Sequence, residues 1–131
     1  MIKHRTIYIV DDDASARRGL WHILAAAGHE VKVFSTFEEF FLIQAFDKNA
    51  CVIMDASMSG LSGTDLHAKF IQQNLNLPLI ILSARDDKES REKALAVKAA
   101  GFFRKPVDGS ALLDAIDWAF KTDGWDNGHT K

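Results

Sequence analysis

The sequence predicts a doubly wound α/β fold, a parallel sheet with helices on both faces, and three observations point to it. Short apolar runs of strand length alternate with segments of helical spacing, in five repeats of strand then helix. The runs are almost continuously apolar, which suits strands buried on both faces once each crossover helix lays its apolar stripe across the sheet. The 131 residues, 47% hydrophobic and 26% charged, suffice for one sizeable core and leave no room for a second module of ordinary size.

The first strand is Thr6-Ile7-Tyr8-Ile9-Val10. Asp13 stands where a helix N-cap is needed, and Leu20, Ile23, Leu24 and Ala27 follow at helical spacing, closed by Gly28, the usual residue just past a helix end. Val31-Lys32-Val33-Phe34 forms the second strand. Ser35 or Thr36, each with a Glu three residues on (Glu38, Glu39), gives a capping box for a helix whose apolar face carries Phe37, Phe40, Phe41 and Ile43. The Phe-rich stretch from 34 to 46 reads as core. Ala50-Cys51-Val52-Ile53-Met54 is the third strand, with Cys51 as a packing residue. A helix over residues 63–73 turns Leu66, Phe70 and Ile71 inward; Leu79-Ile80-Ile81-Leu82 is the fourth strand. A helix over 87–98 is expected to bury Ala94, Leu95 and Val97. The weaker fifth strand, Gly101-Phe102-Phe103-Arg104, leads to a helix over 108–121 with Leu112, Leu113, Ile116 and Phe120 inward. Trp118 falls opposite that stripe, where an exposed aromatic marks a partner site. Residues 123–131 form a short polar tail after a single domain over 1–122.

Composition excludes several functions. Sixteen basic against 18 acidic residues leave no basic footprint for nucleic acid, and no apolar run approaches the roughly 18 residues of a membrane span. A single Cys rules out an internal disulfide, the N-terminal run is too short for a signal peptide, and a cytoplasmic address follows. His4, His22, His29, His67 and His129 lack metal-ligand spacing and read as surface residues.

In doubly wound folds ligands bind beyond the carboxyl ends of the strands, where the strand order reverses. Asp11, Asp12 and Asp13 follow the first strand, Asp55 the third, Ser83 the fourth and Lys105-Pro106 the fifth. Two carboxylates about 4 Å apart repel by roughly 4 kcal/mol at an effective dielectric near 20, so such a cluster requires a cation or a proton. Mg²⁺ suits one or two carboxylates plus waters and a phosphate oxygen, whereas Ca²⁺ asks for six to eight ligands. Carboxylate, hydroxyl, ammonium and a hard cation around one point meet the needs of phosphoryl transfer, which is chiefly positioning and charge neutralisation.

From residue 6 to 121 the chain resembles the receiver domains of two-component response regulators, in particular the nitrogen-fixation type. Val10-Asp11-Asp12, Met54-Asp55 with Met58 and Gly60-Leu61-Ser62-Gly63, Leu82-Ser83-Ala84, Phe102 and Lys105-Pro106 carry the resemblance. Their separations are family-like: 43 residues from Asp12 to Asp55, 28 to Ser83 and 22 to Lys105. The resemblance implies a flavodoxin-like sheet of strand order 2-1-3-4-5 with five helices. It further implies that Asp55 accepts a phosphoryl group from a phosphohistidine, with Mg²⁺ held by Asp12 directly, Asp11 through water, Asp55 and the backbone carbonyl of Ser57. Lys105, preceding a cis Pro106, neutralises the phosphoryl oxygens, and Ser83 then bonds one of them while Phe102 turns inward. The surface of the fourth helix, fifth strand and fifth helix thereby changes partner. A sensor histidine kinase or histidine phosphotransfer protein is the implied donor; a downstream protein and a homodimer are implied recipients of the signal. The domain has no turnover substrate beyond its donor, and output lies in another chain or in residues absent from this sequence.

Some positions depart from the pattern. Ser59 replaces the usual Pro, Phe102 the alternative Tyr, and Lys98 a Gly whose left-handed backbone costs a side chain roughly 1 kcal/mol. Ser57 and Arg85 are expected to flank the path of hydrolytic water, with Arg85 slowing dephosphorylation. A rival reading exists: Asp11-Asp12-Asp13-Ala14-Ser15 also fits the first motif of haloacid dehalogenase-type phosphatases, with Asp11 as nucleophile and Asp13 as acid. That family needs a later acidic pair, which Asp86-Asp87 supplies too close to Ser83, and it leaves Asp55 without a role. A flavodoxin-like flavin protein is disfavoured, because three acids after the first strand repel a flavin phosphate.

Overall fold

The computed structural model describes residues 5–58, 62–84 and 87–121. His4, Ser59, Gly60, Leu61, Arg85, Asp86 and the polar tail lie outside them. The elements alternate as expected: β1 (Thr6–Val10), α1 (Ala14–Ala26), β2 (Glu30–Phe34), α2 (Phe37–Phe41), β3 (Ala50–Asp55), α3 (Gly63–Gln72), β4 (Leu79–Ser83), α4 (Lys88–Ala96), β5 (Gly101–Arg104) and α5 (Gly109–Lys121). All strand pairs are parallel, in the order β2-β1-β3-β4-β5.

Period-two alternation divides the sheet's side chains between two cores. Tyr8, Val10, Val52, Met54, Leu79 and Ile81 face α2, α3 and α4, joining Phe37, Phe40, Leu66, Phe70, Ala94 and Val97. Ile7, Ile9, Cys51, Ile53, Ile80 and Leu82 face α1 and α5, joining Leu20, Leu24, Leu112 and Ile116. Cys51 is thus a packing residue. The Phe-rich stretch is core as well: Tyr8 meets Phe40 and Phe46 edge to face at 6.0 and 5.5 Å. The helix there is one turn long, closed by reciprocal bonds: Thr36 Oγ1 accepts from the Glu39 amide at 3.0 Å while Glu39 Oε1 accepts from the Ser35 amide at 3.0 Å.

Two inward assignments are corrected. Ile71 and Leu95 are 66% and 77% exposed. Each adjoins an inward residue, but successive helical positions lie 100° apart. On α3 the buried stripe is Leu66 and Phe70; on α4 it is Ser90 and Ala94, continued by Val97 at the C-cap, so a serine joins the inward stripe that leaves Leu95 outside. Trp118 is 59% exposed, opposite Leu112 and Ile116, as its spacing predicts.

Three helices end alike, with a left-handed residue after the last turn: Gly28 at φ 94°, Asn74 at 54° and Lys98 at 54°. In each, the next amide closes back on the helix, His29 to Leu24 O, Leu75 to Phe70 O and Ala99 to Ala94 O. Lys98 therefore takes the conformation that a Gly would adopt without strain.

Candidate functional site

The strand order reverses between β1 and β3, and there the carboxyl ends of the strands gather the polar residues. Val10 pairs with Met54, which sets Asp11 and Asp55 side by side at the strand ends. Asp55 in turn pairs with Leu82, placing Ser83 one step beyond on β4, and Ser83 pairs with Arg104, so Lys105 emerges next to it. The Lys105 amide bonds Ser83 O at 2.7 Å, and the Lys105-Pro106 bond is cis.

From there the Lys105 ammonium reaches back over β4. Its Nζ lies 2.8 Å from Asp11 Oδ2 and 3.3 Å from Asp55 Oδ2. Asp11 and Asp55 are buried, Asp12 is exposed, and carboxylate oxygens of all three lie within 4.8 Å of one another. Asp13 stands apart as the α1 N-cap, accepting from the Ser15 amide at 2.9 Å. Its own amide donates to Asp11 Oδ1 at 2.9 Å, and Arg17 donates to Asp11 O at 2.7 Å, so the start of α1 holds the acidic residue in place.

The two buried acids are driven apart electrostatically. Burial raises the Asp11 carboxyl above its ordinary value, and repulsion from Asp55 adds to this against the bonds from Lys105 and the Asp13 amide. Burial pushes Asp55 the same way, but the Ser57 hydroxyl and amide, then Lys105, outweigh it and hold Asp55 below the ordinary carboxylate value. Of the two, Asp11 is therefore the acid more easily protonated and Asp55 the one more readily kept as a carboxylate. Lys105 is disfavoured as a cation by burial, yet Asp11 and Asp55 together raise it.

Sequence reasoning missed three contacts. Ser57 Oγ donates to Asp55 Oδ1 at 2.6 Å beside the Ser57 amide at 3.0 Å, a local turn that the Asp-x-Ser spacing could have suggested. Lys93 Nζ on α4 donates to Ala56 O at 2.9 Å and Met58 O at 3.3 Å, and Ser83 Oγ donates to Ser90 Oγ at 3.0 Å. Those two contacts span 35 or more and 7 residues respectively and carry no local signal. Phe102 is half-buried on β5, with the Arg91 guanidinium 6.0 Å from its ring centre.

A profile of the response regulator receiver domain matches residues 7–117. The chain belongs to the response regulator receiver domain family. Receiver domains bind Mg²⁺ at an acidic pocket and are phosphorylated by sensor kinases. The donor set here fits that ion, since three carboxylates offer hard oxygen ligands at one point. This receiver domain is 30% identical over 117 residues to Nodulation protein W of Bradyrhizobium diazoefficiens, covering 89% of the chain and 52% of that protein. It is 27% identical over 114 residues to the transcriptional regulatory protein FixJ of Rhizobium meliloti, covering 87% and 56%. The chain thus spans about half the length of these curated relatives. Among solved structures it is similar to the N-terminal part of FixJ (TM-score 0.79, 26% identity, 92% and 96% of the two chains). It is also similar to chemotaxis protein CheY4 of Vibrio cholerae (TM-score 0.75, 26% identity, 89% and 99%). No helix among the described residues is long and apolar enough to cross a membrane.

Proposed function

We propose that this receiver domain, spanning residues 1–122 ahead of a short tail, accepts a phosphoryl group on Asp55 from a phosphohistidine donor in the cytoplasm. The observation that carries the reading is the convergence of Asp11, Asp55 and Lys105, where the bonds from Ser57 and Lys105 hold the Asp55 carboxyl below its ordinary value. An Asp55 oxygen attacks phosphorus, the P–N bond breaks, and the donor imidazole leaves as a neutral ring once protonated. Both Asp55 oxygens are engaged, so attack displaces a hydrogen bond; the Ser57 hydroxyl, on an exposed side chain, yields most readily. Asp11, Asp12, Asp55 and the Ser57 carbonyl would hold Mg²⁺, which supplies charge neutralisation at the transferred oxygens. Lys105 shares that role from the other side, and Ser83 then donates to a phosphoryl oxygen.

Withdrawal of Ser83 toward Asp55 leaves room beside β4 into which Phe102 turns, altering the face of α4, β5 and α5. That face carries the exposed Leu95 and Trp118 and is read as the surface for a downstream protein or a second copy. A sensor histidine kinase or histidine phosphotransfer protein supplies the phosphoryl group, and the domain acts as a self-phosphorylating acceptor without further turnover. No nucleic-acid or membrane contact belongs to this reading. The phosphatase alternative gains no support from the family match and gives Asp55 no task.

Acetyl phosphate with Mg²⁺ should add one phosphoryl group, detected by intact mass, and Asp55→Asn should abolish it. Labelling that survives Asp55→Asn but disappears in Asp11→Asn would overturn the reading in favour of the phosphatase. Sedimentation with and without beryllofluoride tests the dimer.

A further inference from the structure

A pair of buried hydroxyls joins the acceptor site to α4. Ser83 and Ser90 are 0% and 3% exposed, and Ser83 Oγ donates to Ser90 Oγ at 3.0 Å. Ser90 sits in the inward stripe of α4 above Ala94 and Val97. A hydroxyl there is costly unless it is paired. Its own amide is committed elsewhere, donating to the N-cap carboxylate of Asp87 at 2.9 Å, which fixes the first turn and aims the side chain at β4. Three residues further along, Lys93 ties the same helix to Ala56 O and Met58 O, in the loop that follows Asp55.

We propose that Ser90 is a positioning residue of the switch: its Oγ engages the Ser83 hydroxyl in the unphosphorylated chain and competes for it with a phosphoryl oxygen on Asp55. The proposal rests on Asp55 being the acceptor. A serine hydroxyl has one proton, so donation to Ser90 and full donation to a phosphoryl oxygen exclude each other. The charged oxygen is the stronger acceptor and takes the proton when present. Ser90 is then left in a buried stripe without this donor, and the first half of α4 adjusts to satisfy it. Lys93 keeps the second half anchored to the loop after β3, so the helix pivots rather than slides. Ser90 thereby sets how readily the acceptor site converts between its two arrangements, without touching the phosphoryl group.

A double-mutant cycle tests this, with beryllofluoride and Mg²⁺ titrated calorimetrically into the parent, Ser90→Ala, Ser83→Ala and the double variant. Removing the competitor should tighten binding about three- to tenfold in Ser90→Ala, the span of one net hydrogen bond. In the Ser83→Ala background the same change should alter affinity by less than about twofold, because the contested proton is gone. Ser90→Cys, a near-isostere with a weak acceptor, should shift affinity in the same direction should the alanine variant fold poorly. In the metal-free chain, amide exchange in the first turn of α4 should quicken in Ser90→Ala. Equal affinity in parent and Ser90 variants, or the same shift in both Ser83 backgrounds, overturns the competition while leaving Asp55 acceptance intact. Absence of both beryllofluoride binding and acetyl phosphate labelling in the parent overturns the acceptor reading and this proposal with it.

Discussion

Lys105 Nζ lies 3.3 Å from Asp55 Oδ2 although the two residues leave strands separated by β4. The lysine spans that strand with its four-carbon stem and brings its charge to Asp11 as well, at 2.8 Å. One ammonium thus compensates two buried carboxylates that would otherwise repel each other.

Lys105→Met leaves Asp11 and Asp55 facing each other without a cation, and should lower metal-free stability by about 1–3 kcal/mol. Mg²⁺ should recover part of the loss, since an ion bound only by the folded chain stabilises it by mass action. Urea unfolding of parent and variant, with EDTA or with Mg²⁺, measures both; a variant as stable as the parent in EDTA would contradict the role given to Lys105.

Asp12 offers the exposed carboxylate of the cluster. Asp12→Asn should weaken Mg²⁺ binding about tenfold or more, because it removes a charged hard ligand. Calorimetric titration decides, and unchanged affinity would refute Asp12 as a ligand.

His29 provides a pH dependence remote from the site. It stacks on Phe120 with centroids 6.3 Å apart, and the Arg5 guanidinium lies 4.5 Å over the same ring. Burial, then the Arg5 charge, hold the imidazole below its ordinary value of 6.5, against a smaller pull from Asp117. Between the folded and unfolded values the unfolded chain binds more protons, so stability should fall as pH drops below about 6.5 and level off once the folded form is also protonated. His29→Gln should flatten this part of the curve; equal slopes in thermal unfolding from pH 7.5 to 5.5 would exclude the effect.

The exposure of Leu95 makes its replacement cheap. Leu95→Lys should change stability by less than about 0.5 kcal/mol, as other surface substitutions do. Leu112→Ala, on the fully buried face of α5, should cost about 2–5 kcal/mol. Denaturant midpoints of the two variants test which helix faces are inward.

Lys98 holds φ at 54° where the helix ends. Lys98→Gly relieves the side chain's strain but loosens the unfolded chain, and the balance should favour the folded state by about 0.5–1 kcal/mol. A midpoint below that of the parent would reverse this assignment.

Much of the architecture was legible along the chain because its signals are local. Apolar runs marked the strands within a residue at either end, Gly28 and the Thr36–Glu39 box marked helix ends, and Asp11, Asp12, Asp55, Ser83 and Lys105 announced themselves by standing just after strands. The misreadings fell on helix faces. The apolar character of Ile71 and Leu95 points inward, yet both are exposed, and the inward stripe of α4 includes Ser90, whose hydroxyl is paired with Ser83 on β4.

The sequence by itself therefore determined the order of elements, the parallel sheet and the placing of acidic, hydroxyl and lysine residues just after the strands, since short-range periodicity and turn chemistry encode them. The tertiary structure alone decided which charges meet. Lys105 bridges Asp11 and Asp55, and Ser83 and Lys93 bind α4 to the site, because strand register and helix docking set distances that no spacing along the chain contains. It also decided how the two acids differ: Asp11 and Asp55 are alike as residues, and only burial against the donors of Ser57 and Lys105 shifts one carboxyl up and the other down.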